Sequence, residues 1–147
     1  MLTSVYANQD KTIWKPAAVM VNGTTIWTVS GGPIQIISIG AVCVTANDAT
    51  ASTLQYSADG TDGAATTITG ASATLASAAA GTIVVSVPGT LATAPAIYAN
   101  GVGIAGTVGI IVPAGIITTV IGVGSTTGTW KQFIRYRPLT PDSVING

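Results

Sequence analysis

At 147 residues, with 7% charged side chains, a formal net charge of zero and no histidine, the chain has the length of one domain and very little surface charge. Its 48% hydrophobic content is the reverse of the low-hydrophobicity, high-charge composition of disordered chains, so it is expected to fold. There is no glutamate, and no charged residue lies between Gly63 and Trp130, which removes the groups that acid–base catalysis, activated nucleophiles and most metal sites need.

The first fifteen residues, mixed in polarity and without periodicity, read as an extended N-terminal arm, with a single domain over 16–147. Residues 18–21 and 24–29 flank Asn22-Gly23, a dipeptide suited to the type I′ turn, and predict a hairpin. Alternation in its second strand places Thr24, Ile26 and Thr28 on one face and Thr25, Trp27 and Val29 on the other. After the break Ser-Gly-Gly-Pro at 30–33, the β-branched run 34–45 predicts a strand continuing through Gly40. Shorter strands are expected at 53–57, 66–69 and 81–87, with a turn at 58–63. Residues 71–80 have the only helix preference in the chain, weakened by serine and threonine, and predict a loop or one helical turn. Strands at 96–98, 107–112, 116–123 and 129–136 complete the pattern. Short strands punctuated by Gly and Pro indicate an all-β fold, an antiparallel β-sandwich of jelly-roll-like form.

The last strand carries the most distinctive pattern. Alternation puts Trp130, Gln132, Ile134 and Tyr136 on one face and Lys131, Phe133, Arg135 and Arg137 on the other. The second face is a cationic ribbon suited to a partner's carboxylates through arginine forks, or else a solvated strand face. All five basic residues lie near the ends, Lys11 and Lys15 and then Lys131, Arg135 and Arg137. A neutral chain with so few cations lacks the basic stripe of a nucleic-acid module, and no nucleic-acid partner is expected.

Four other signals carry less. Residues 101–106 match G-x-G-x-x-G, but β-branched residues and Pro113 follow where a dinucleotide fold needs a helix, and no acidic residue comes before Asp142. Residues 101–124 are uncharged for long enough to cross a bilayer as a helix. Pro113 and seven glycines break that stretch, and its Val, Ile and Thr favour strands, so no membrane contact is expected. Asp59 and Asp62 lack the closing glutamate of a calcium loop and read as a polar turn. Cys43, the only cysteine, sits in an apolar run with no histidine to activate it and reads as a buried thiol. No enzyme, cofactor or metal is expected, and residues 1–5 show no secretory signal.

A folded monomer of this mass exposes on the order of 7,000 Å². Five basic and five acidic side chains give that surface little colloidal protection, so much of it is expected to be buried in an assembly. Residues 25–36 (Thr-Ile-Trp-Thr-Val-Ser-Gly-Gly-Pro-Ile-Gln-Ile), then Pro-Ala-Gly from Pro113, then 128–141 with Gly-Thr-Trp and Tyr-Arg-Pro-Leu-Thr-Pro, carry a resemblance. The chain resembles the capsid decoration (cement) proteins of tailed bacteriophages. That resemblance implies a jelly-roll or related β domain, made in the host cytoplasm and assembled as a homotrimer on the outer capsid surface. There it would bridge subunits of the major capsid protein. On that reading the capsid contacts are expected at Trp14, Lys15, Arg135 and Arg137. The alternatives are a tail or receptor-binding β module, and a membrane-spanning protein using residues 101–124.

Overall fold

The computed structural model describes residues 9–86, 92–98 and 109–147, and over them every regular element is a strand. In chain order these are β1 (Lys11–Trp14), β2 (Thr24–Ser30), β3 (Ile34–Cys43), β4 (Thr53–Gly60), β5 (Thr66–Thr67) and β6 (Ile83–Ser86). β7 (Ala96–Tyr98), β8 (Ile110–Val112), β9 (Gly115–Gly122), β10 (Trp130–Pro138) and β11 (Val144–Asn146) follow. The run 34–43 is one unbroken strand because its β-branched residues suit a pleated surface and Gly40 leaves room where β6 crosses closely. A Cβ at Gly40 would lie 2.1 Å from the Val84 carbonyl oxygen.

Among the described strands all pairing is antiparallel, in two sheets, with one isolated parallel bridge between Thr69 and Thr93 outside them. One sheet has the order β1-β10-β3-β6-β7, with β8 also on β3; the other has the order β11-β2-β9-β4-β5. Besides the long β3–β10 and β4–β9 pairings, a set of pairs is nested along the chain. β1 pairs with β10, β2 with β9, β3 with β6 and β8, and β4 with β5, and successive pairs fall in alternate sheets.

One core lies between the sheets. β2, β4 and β9 contribute Trp27, Val29, Leu54, Tyr56, Ile117 and Ile121, and β3 and β10 contribute Ile34, Ile36, Ile39, Trp130, Ile134 and Tyr136. Polar side chains tie the layers at its centre. Tyr56 Oη lies 2.9 Å from Gln132 Oε1 and 3.1 Å from the Gly40 carbonyl, and Thr119 donates to Gln132 Oε1 at 3.0 Å. A second polar knot closes one end, where Asn47 Oδ1 accepts from Gly128 N–H at 2.8 Å and Trp130 Nε1–H at 3.2 Å.

Several expectations are corrected. Residues 18–21 form no hairpin with β2, whose two edges are taken by β11 and β9. Instead Val21 bridges to Ser125 and Ala18 to Trp130. Of the turn pair only Gly23 has a positive φ, 79°, so the turn is not type I′, which needs both central residues there. Alternation in β2 also fails. The register against β9 shifts between Thr25 and Trp27, and this bulge at Ile26 leaves both Ile26 and Trp27 buried. Residues 71–80 form a loop, one of the two forms expected, in which Leu75 plugs the core while Ser72 accepts from Leu54 N–H. Residues 11–14, read as part of an arm, form the edge strand β1, and Ile13 packs against the core. The G-x-G-x-x-G match at 101–106 lies outside the described residues. Among the described residues no helix is long and apolar enough to cross a membrane, and 110–112 and 115–122 are strands.

Candidate functional site

β10 keeps strict alternation, so its two faces separate cleanly. Trp130, Gln132, Ile134 and Tyr136 are buried, while Lys131, Arg135 and Arg137 are exposed and Phe133 is half-buried. The bulge beside it does not disturb this, because the extra residue, Ile37, belongs to β3. β1 lies on the free side of β10 with Thr12 opposite Arg135 and Trp14 opposite Phe133. Residues directly opposite in antiparallel strands share a face, so Trp14 and the outward residues of β10 form one surface.

Trp14 is 52% exposed, and its ring lies 4.8 Å from that of Phe133 at 38°. Beside this pair is a shallow depression of about 530 Å³ lined by Trp14, Lys15, Pro16, Val42 and Lys131. Lys15 is anchored by its backbone, whose N–H donates to the Gln132 carbonyl at 2.8 Å. Of the four residues expected to make contacts, Trp14 and Lys15 border the depression, but Lys15 follows Trp14 onto the Gln132 face and its Cε lies 3.0 Å from where a Cβ at Gly147 would stand.

The two arginines are already engaged. Arg135 Nη2 donates to Asp10 Oδ2 at 2.9 Å, and Arg137 Nε donates to Asp10 Oδ1 at 2.8 Å. One carboxylate thus bridges two guanidinium groups, each of its oxygens accepting one N–H from one arginine. Asp10 immediately precedes β1, so this clamp holds the start of the edge strand against β10. Sequence reasoning missed Asp10, since nothing local marks a partner 125 residues away. It grouped Lys131 and Phe133 with the arginines by alternation but did not single them out, and it missed Val42 on the neighbouring strand.

A second cleft, of about 750 Å³, lies between the β4–β5 connection and the β8–β9 turn. Its lining includes Thr61, Thr67, Ile111 and Pro113, with Asp62 as its one ionisable group among the described residues. Among the described residues no three His, Cys, Asp or Glu come together as a metal site. Cys43 is buried, and its Sγ lies 3.3 Å from the Thr45 carbonyl. Burial pushes its thiol pKa up and keeps it protonated at neutral pH. Burial likewise raises the pKa of Tyr56. Both groups are structural where they stand.

The two sheets and this outer face define an all-β protein with an aromatic and cationic patch on one sheet. Comparison with protein-family models, with curated proteins and with solved structures returns no match.

Proposed function

We propose that the protein is a structural virion component, a decoration protein that binds the outside of a phage head and stabilises contacts between major-capsid subunits. We take its fold to be a jelly roll. In that fold a long two-stranded ribbon is wrapped so that successive strand pairs lie in opposite sheets. The nested pairs β1:β10, β2:β9, β3:β6/β8 and β4:β5, alternating between the sheets, support this assignment.

The observation that carries the functional reading is the outer face of β1 and β10. There an exposed tryptophan packed at a tilt against Phe133, with Lys131 on the same face, stands out on a chain with few charged side chains. Exposed aromatic anchors with a polar, charged surround are the composition of protein interfaces. The likeness of residues 25–36 and 128–141 to decoration proteins directs that interface to a capsid. Trimerisation would cover part of the remaining weakly charged surface, as obligate interfaces do.

The test is sedimentation of the purified protein with heads of the encoding phage that lack it, together with its native mass in detergent-free buffer. Saturable binding to heads, by a species about three times the 14.5 kDa chain mass, is the expected result. A monomer that stays in the supernatant overturns the reading. Arg135→Glu with Arg137→Glu is expected to lower head occupancy about tenfold, because it removes the cations and also expels Asp10 from the clamp. Unchanged occupancy would remove the two arginines from the contact.

A further inference from the structure

We draw no further inference here: the strongest candidate, the apolar surface patch of Trp14, Phe133 and Val42 on the outer face of β1, β10 and β3, is an unpartnered sheet face, and nothing in the structure shows what covers it.

Discussion

Trp27 and Trp130 show how two buried residues of one kind differ in worth. Each is 1% exposed, but Trp130 Nε1–H donates to Asn47 Oδ1 at 3.2 Å while Trp27 Nε1 has no hydrogen-bond partner among the described residues. An unmet buried donor carries its full desolvation cost, so deleting it recovers part of the area lost with the ring. Trp130→Phe is therefore expected to destabilise by about 1 kcal/mol more than Trp27→Phe, measured by urea unfolding of both variants. Equal losses would mean that the Asn47 bond contributes nothing net. That both tryptophans are large apolar groups was readable from sequence. Which one has a partner was not, because Asn47 lies 83 residues from Trp130 and reaches it only when the chain end of β3 meets the start of β10.

At the scale of elements, β10 was legible and β2 was not, for one physical reason. Period-2 alternation survives only where a strand has no bulge of its own; β10 has none, and Ile26 breaks the pattern in β2. β1 was hidden for another reason. A four-residue edge strand needs only one partner, and Lys11 and Thr12 are exposed, so its sequence has no core-facing signature. Its attachment through Asp10 is testable. Both ion pairs are solvent-exposed on the arginine side, so Asp10→Ala is expected to leave global stability nearly unchanged. Hydrogen exchange at the Lys15 amide, which bonds to the Gln132 carbonyl, should instead rise about two- to fivefold. Protection at β1 unchanged from the parent protein would show that the clamp does not hold the strand.

For the molecule as a whole, Tyr56 joins the two sheets, and its burial couples folding to alkaline pH. Desolvation raises its pKa above the ordinary 10.0, so the folded state keeps the proton that the unfolded chain releases. The stability it supports is full below pH 10 and falls as pH rises past that value, by about 1.4 kcal/mol per pH unit. Tyr56→Phe loses hydrogen bonds worth about 1 kcal/mol at neutral pH but has no such slope. The stability gap between parent and variant is thus expected to close between pH 10 and 11 in urea titrations, and a constant gap would contradict the coupling.

By itself the sequence determined that this chain is built of short strands, which faces of β10 are wet and dry, and that charge is confined to a few positions. These are local properties, set by β-branched content, a two-residue period and Gly and Pro punctuation. Only the tertiary structure decided which strands pair, where the bulges fall, and that Asp10 occupies both arginines. Those outcomes depend on residues more than a hundred positions apart, such as Asp10 and Arg135. Their meeting is fixed by how the two sheets close over a shared core, and no local pattern records it.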